Sequence, residues 1–304
     1  MTSENLSPRR QKMSASTKGA FPLLILCGAL FALKIILSKA ALQAGMQVLQ
    51  LGILGNLLAA ACLLPLVLYR REVIAFGRQH MALYVALGLV TFALPTIISN
   101  LVVTRVGAGY TASVYCLSPL MTMGLAAIFG LEKLFLRRVI AIIFVLTCVV
   151  ILLQQQFLLI QFDQRIWILI GLSIPICAAS GNIIRSAFWP KGMSPLGFSF
   201  VTLIISALMM IPLLPLMEDV STWRFFERDT LLALIGFAAV TSLSFVYNFK
   251  LQALAGAVFF SQVGSVGTGF GVLMGALFFD ETVTLIMVIA LIGIVVGSQA
   301  AKPK

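Results

Sequence analysis

One pattern occurs twice in this chain. A Gly-Ala pair opens a long apolar run, and a glutamate follows 25 residues after the glycine: Gly107, Ala108 and Glu132, then Gly256, Ala257 and Glu281, an offset of 149 residues. Upstream the correspondence continues at an offset of 147, where Ala32, Ile36, Ala40, Gly45-Met46, Leu49 and Pro65-Leu66 meet Ala179, Ile183, Ala187, Gly192-Met193, Leu196 and Pro212-Leu213. At the 149 offset Val114, Ala127, Phe129 and Val139 to Ala141 also meet identical residues. Scattered apolar matches arise by chance between apolar helices, whereas Gly, Pro and Glu matches at two nearly equal offsets do not. The chain reads as a duplication, and both copies must build the same elements.

Those elements are membrane helices. The chain is 61% hydrophobic and 10% charged over 304 residues, with mean hydropathy +1.08, whereas soluble domains carry about 25% charged residues. Lipid must be the solvent for most of this surface, and the bilayer is the first partner the sequence implies. Ten runs of about 20 mainly apolar residues can each cross a hydrocarbon core: 20–42, 47–68, 82–103, 107–130, 134–156, 166–189, 195–217, 230–253, 256–279 and 283–301. The connecting segments are too short to recross the bilayer, so neighbouring spans are antiparallel. The expected fold is an all-α polytopic membrane protein whose ten transmembrane helices form two five-helix repeats, 20–156 and 166–301. A tail at 1–19, an outer linker at 157–165 and a tail at 302–304 complete the chain.

Orientation follows from Lys and Arg, which favour cytosolic segments. With the N-terminus inside, Arg9, Arg10, Lys12, Lys18, Arg70, Arg71, Arg78, Lys133, Arg137, Arg138, Arg185, Lys191, Lys250, Lys302 and Lys304 fall on inner segments, fifteen of the 21 basic residues. The outer loops hold Lys39, Arg105, Arg165, Arg224 and Arg228, and the loop 218–229 is net acidic. Both termini are therefore expected in the cytosol. An N-terminal signal peptide is not indicated, because no small-residue cleavage site closes the first apolar run and Lys34 interrupts it. Five spans per copy place the second copy in the membrane upside down, so Glu132 is expected inside and Glu281 outside. Such inverted repeats are a signature of secondary transporters, with substrate bound near the midplane between them.

Spans four and nine share a small-residue register. Ser118, Thr122, Ala126 and Gly130 meet Gly267, Gly271, Gly275 and Phe279 at the 149 offset. Small residues at every fourth position let membrane helices approach closely, so the two spans are expected to cross, as a packing seam that can also slide during transport.

In these features the chain resembles the drug/metabolite transporter superfamily and its EamA-like members. The resemblance covers residues 20–301. It rests on the two five-helix repeats and on the ends of the fourth span of each: Ser118-Pro119 with Gly130-Leu131-Glu132, and Asp280-Glu281. Thr268 stands where a second-half Pro is usual. The resemblance implies cytosolic termini, movement of small metabolites, and a central cavity lined mainly by spans three, four, eight and nine with parts of one, two, six and seven.

Candidate binding residues are polar groups inside spans. Lys34 lies near the middle of span one, where a charge costs about 2.5–3.5 kcal/mol unless it faces a polar cavity. Two roles are open to it: a structural partner for backbone or the other repeat, or recognition of a substrate carboxylate or phosphate. Lys39 is close enough to the interface to snorkel. Ser99 and Asn100 in span three and Tyr247 and Asn248 in span eight fall at matching depth. Tyr110, Tyr115 and Ser118 in span four, Asn182 in span six, and Gln262 and Ser265 in span nine add donors and acceptors that are costly to bury unpaired. Pro95, Pro119 and Pro175 each free the carbonyl four residues earlier, on Thr91, Tyr115 and Gly171. Pro119 is the candidate flexing point, with Thr122, Gly267, Gly271 and Gly275 as the packing seam. No acidic residue occupies the middle third of any span, so coupling by proton, exchange and facilitated efflux all remain compatible with the sequence.

Other classes fit less well. The five cysteines (27, 62, 116, 148 and 177) lie in apolar runs without C-x-x-C spacing, and the single histidine, His80, is in a polar loop. No metal site, catalytic residue or cofactor is expected. No P-loop is present. The basic residues form no aromatic-interleaved stripe, which argues against nucleic acid as the partner of a chain with net charge +11. Gly267-Thr268-Gly269-Phe270-Gly271 lacks the Thr-Val of a potassium filter. The expected function is a secondary transporter of the bacterial inner membrane that moves small polar metabolites, amino acids or related zwitterions first, outward by alternating access. Exchange of a larger anionic metabolite such as a nucleotide-linked compound is the alternative, and a receptor or structural role is the rival from another class. Gly293 and Gly297 form a G-x-x-x-G that serves either a homodimer or packing within a monomer.

Overall fold

Inside lipid every backbone N–H and C=O must be satisfied within its own segment, and long apolar runs become helices for that reason. The computed structural model describes residues 19–75, 77–130, 136–159, 165–220, 223, 228–279 and 284–300. Among them there are helices and no strands. In chain order these are α1 (Ala20–Gln43), α2 (Val48–Tyr69), α3 (Arg78–Ala86), α4 (Leu94–Arg105), α5 (Ala108–Val114), α6 (Ser118–Ile128), α7 (Leu136–Leu159), α8 (Arg165–Gly171), α9 (Ser173–Phe188), α10 (Pro195–Met210), α11 (Leu214–Met217), α12 (Arg228–Phe279) and α13 (Leu285–Ala300). Several are parts of one span, and among the described residues seven helical stretches are long and apolar enough to cross a membrane. Leu68, Ile128, Leu277 and Ile292 are exposed on the outside, as a lipid-facing surface requires.

The breaks within spans follow the prolines. A π-helical turn, Leu87–Ala93, joins α3 to α4 just before Pro95. A 3-10 turn, Tyr115–Leu117, joins α5 to α6 before Pro119. Helix α8 ends at Gly171 and α9 begins at Ser173, before Pro175. Each proline lacks the N–H that would hold the carbonyl one turn back, so the ladder loosens there. Pro65, by contrast, sits inside the continuous α2.

The repeated glycines have a conformational cause. Gly107 (φ 108°, ψ 167°) precedes α5, and Gly256 (φ 82°, ψ 172°) interrupts α12. Gly45 (φ 99°) and Gly192 (φ 77°), the pair at the 147 offset, also have positive φ. Only glycine adopts such a backbone without strain. Gly256 also corrects an expectation: no loop separates spans eight and nine at 254–255, because helix continues to the glycine and resumes after it. A straight helix of 52 residues would be roughly 78 Å long at about 1.5 Å per residue, more than twice the hydrocarbon core of about 30 Å. The reversal must therefore occur at that residue. The third span likewise begins earlier than expected, at Arg78, and α7 runs to Leu159 into the expected linker 157–165. The remainder of that linker, most of the tails at 1–19 and 302–304, and Glu132, Asp280 and Glu281 lie outside the described residues.

Helices of the first half pack against those of the second. Helix α2 lies against α10, α5 and α6 against α12, and α7 against α13, while α1 runs along α12 and α9 packs on α6 and the π turn. Gly293 on α13 faces Cys148 on α7, where an added Cβ would lie 2.5 Å from Sγ. That glycine is thus occupied within the chain. Glu218, just past α11, binds the open N-terminus of α2: Oε1 accepts from Leu49 N–H at 2.6 Å and Oε2 from Gln50 N–H at 3.1 Å. Free N–H groups and the helix dipole both favour a carboxylate there. Replacing Glu218 by Ala is expected to cost about 0.5–2 kcal/mol of stability, read as a lowered melting temperature of the purified protein in detergent. An unchanged melting temperature would show the cap to be dispensable.

Candidate functional site

Two chambers of about 120 and 140 Å³ lie between the halves and share six lining residues: Phe31, Thr91, Phe92, Tyr115, Phe245 and Asn248. Helix α1, the π turn with α4, the Tyr115 turn, α9 and α12 supply the walls. The irregular backbone is what brings Thr91, Phe92 and Tyr115 to the lining, and π turns in helices are frequent at functional sites. The fit is close: a Cβ on Gly181 of α9 would overlap the Thr91 side chain, and one on Gly264 of α12 would overlap the Tyr115 carbonyl.

Lys34 lines the larger chamber with Ser99, Asn100 and Ser38. Its Nζ lies 5.5 Å from the ring centres of both Phe237 and Phe245, within range of a cation–π attraction. Asn100 is also a brace, accepting from Ser38 Oγ on α1 at 2.7 Å and donating to the Val48 carbonyl on α2 at 3.3 Å. Asn248 Oδ1 and Thr91 Oγ1, shared by both chambers, are buried without a hydrogen-bond partner. Each is an acceptor whose burial is unfavourable until something donates to it.

The smaller chamber holds a second cation that the sequence reading placed on an inner flank. Arg185 is 2% exposed and lines this chamber with Ser118 and Asn182. Its Nε donates to Gln252 Oε1 at 2.7 Å and its Nη2 to Asn182 Oδ1 at 2.6 Å. Asn182 also donates to Thr122 Oγ1 at 3.2 Å, and Gln252 donates to the Asn182 carbonyl at 2.8 Å. Phe92, Phe249 and Phe260 surround the guanidinium at 4.8–5.6 Å. Position in the last turn of α9 made Arg185 look like a helix-flanking charge. The available signal was Asn182 one turn before it, together with the polar Gln252 inside an apolar run.

The other expected residues divide. Ser99, Asn100, Tyr115, Ser118, Asn182 and Asn248 line a chamber, whereas Tyr110, Tyr247, Gln262 and Ser265 line neither. Tyr110 donates to the Ile168 carbonyl of α8 at 2.7 Å, Tyr247 packs beside the Leu24 and Leu251 cluster, and Gln262 and Ser265 are buried in α12. The seam also differs in detail. Gly271 faces Ala112 of α5, and Gly264 faces Tyr115, but Gly267 packs on Phe31 and Gly28 of α1. Gly275 is buried in α12, and Pro119 and Thr122 in α6. Thr268, matched to Pro119, joins the two halves by donating to the Ala112 carbonyl at 2.9 Å. Because Tyr110 stands outside the chambers, Tyr110→Phe is expected to lower stability by about 0.5–1.5 kcal/mol while leaving the apparent KM for cargo unchanged. A raised KM with unchanged melting would move Tyr110 into the binding site.

Apolar helices long enough to cross a membrane enclose the two chambers. Residues 19–154 match the model of the EamA-like transporter family. The family resemblance seen in the sequence is thereby borne out over that stretch, and the match together with the apolar helices supports an integral membrane protein. A solved crystal structure aligns with a TM-score of 0.68 at 14% identity, over 94% of this chain and 98% of that one; at this identity the likeness is one of fold. No curated protein matches the chain.

Proposed function

We propose that this chain is a secondary transporter in which two inverted five-helix repeats, 20–156 and 166–301, rock around the paired chambers by alternating access. Packing of α2 on α10, α5 and α6 on α12, and α7 on α13 supports this reading, since each contact joins matched helices of the two copies. Matched positive-φ glycines support it too. The orientation reading puts both termini in the cytosol, 157–165 outside, and the protein in the bacterial inner membrane as an exporter.

The observation that carries the cargo is Lys34 in a chamber whose lining contains no acidic residue, beside the unpartnered acceptors Asn248 Oδ1 and Thr91 Oγ1. A small zwitterion satisfies all three: its carboxylate meets Lys34, and its ammonium donates to Asn248 and Thr91. Amino acids are the first cargo on this ground. The acid-free lining also favours the second reading, exchange of an anionic metabolite. Purified protein in proteoliposomes, tested against amino acids and organic anions with and without a pH gradient, separates the two. Saturable amino-acid movement is expected. A folded protein that moves none of these solutes, or conducts ions instead, would overturn the transporter reading.

A further inference from the structure

Two cations, Lys34 and Arg185, line adjoining chambers that hold no acidic residue. Lys34 and Arg185 come from corresponding helices of the two halves, one helical turn out of register: Lys34 matches Gly181, and Arg185 matches Ser38, at the 147 offset. Contacting aromatic rings, Phe92, Phe245 and Phe249, connect them. The rings of Phe92 and Phe245 are 4.8 Å apart; Lys34 Nζ is 5.5 Å from Phe245 and Arg185 Cζ is 5.6 Å from Phe92. Phe92 and Phe245 line both chambers.

Arg185 is positioned but not neutralised. Its two hydrogen bonds go to the neutral amide oxygens of Asn182 and Gln252, from Nε and Nη2. Nη1 makes no hydrogen bond to the described residues, Arg185 lines the smaller chamber, and no carboxylate lines either chamber. A buried guanidinium without a counter-charge is unfavourable; oriented by neutral groups and open on one edge, it is prepared for an oxyanion brought by a ligand. A purely structural arginine would have its remaining edge closed by a carbonyl or carboxylate.

We infer that Arg185 is a second anion subsite, so that the preferred cargo carries two acidic groups separated by a short apolar spacer: one on Lys34, one on Arg185, with the spacer against Phe92 and Phe245. Resting on the amino-acid reading above, this names its class as amino acids with an acidic side chain, the ammonium lying on Asn248 and Thr91 between the two ends.

The test is competition in proteoliposomes among L-glutamate, L-glutamine and succinate. L-Glutamate is expected to be favoured over L-glutamine by tenfold or more, although the two differ only at the distal group. Arg185→Gln is expected to collapse that ratio to near one, and Arg185→Lys to restore part of it. Equal handling of L-glutamate and L-glutamine by the unaltered protein overturns the inference without any variant having to fold, and leaves the amino-acid reading standing. An Arg185→Gln protein that keeps the original ratio also overturns it. If succinate moves with the same Arg185 dependence and neither amino acid does, the paired anion subsites stand and the amino-acid reading falls. Movement of none of the three overturns the inference, and the wider amino-acid panel then decides the amino-acid reading.

Discussion

Lys34→Met is expected to abolish transport of any carboxylate-bearing cargo while the protein stays folded. Methionine keeps the apolar body of the lysine, so what is lost is the ammonium with its cation–π contacts to Phe237 and Phe245. Removing one partner of a desolvated charge pair costs about 2–5 kcal/mol, roughly 30-fold to several-thousand-fold in apparent affinity at about 1.4 kcal/mol per factor of ten. Folding is expected to respond in the opposite direction. A lysine near the middle of a span costs about 2.5–3.5 kcal/mol on insertion scales, so a neutral, apolar replacement is expected to hold or raise the melting temperature. The combination of a maintained melting temperature and lost uptake assigns the lysine to cargo rather than to architecture. Saturable transport with unchanged KM in a well-folded variant would return Lys34 to a structural role.

Gly264→Val is expected to be the most damaging single change in the helix interface. Even an alanine Cβ at this position would meet the Tyr115 carbonyl carbon at 2.9 Å and would overlap its oxygen. The obstacle is backbone, in the 3-10 turn Tyr115–Leu117, and backbone cannot rotate away as a flexible side chain can. Overpacking of this kind typically costs about 1–3 kcal/mol. Because Tyr115 lines both chambers, any retreat of the turn also deforms the site, so transport is expected to fall further than stability. Gly124→Ala is the control. An added Cβ there has nothing within 4 Å, and alanine is favoured over glycine in a helix by about 0.8–1.0 kcal/mol. Equal melting temperatures for the Gly264 and Gly124 variants would show the close approach to be slack.

Much of the architecture was legible before any coordinates. Long apolar runs allow only helices in lipid, and the positions of Pro95, Pro119 and Pro175 marked where those helices break, because a missing N–H is a local and certain fact. Gly107 and Gly256 were legible as a repeated pair, though not as the backbone conformation they share. The site was legible in part. Lys34, Ser99, Asn100, Tyr115, Ser118, Asn182 and Asn248 could be picked out as polar groups in apolar runs, but so could Tyr110, Tyr247, Gln262 and Ser265, which face elsewhere. Depth along a helix can be counted from sequence; the direction a side chain takes around the helix depends on which neighbour it meets. Gly264 was missed for the same reason, since the four-residue register through Gly267 passes over it.

By itself, then, the sequence determined a helical membrane protein with a repeated glycine pattern and a lysine that lipid cannot tolerate. Only the tertiary structure decided that Arg185 belongs with that lysine. Asn182, one turn before it, is the only nearby hint that the cation turns inward, and the groups that hold it there lie elsewhere in the chain. Three rings from distant segments, Phe92, Phe249 and Phe260, close over it, and two amides hold it toward the chamber. Burial of a charge is a property of everything packed around it, and those neighbours are assembled only when the two halves meet.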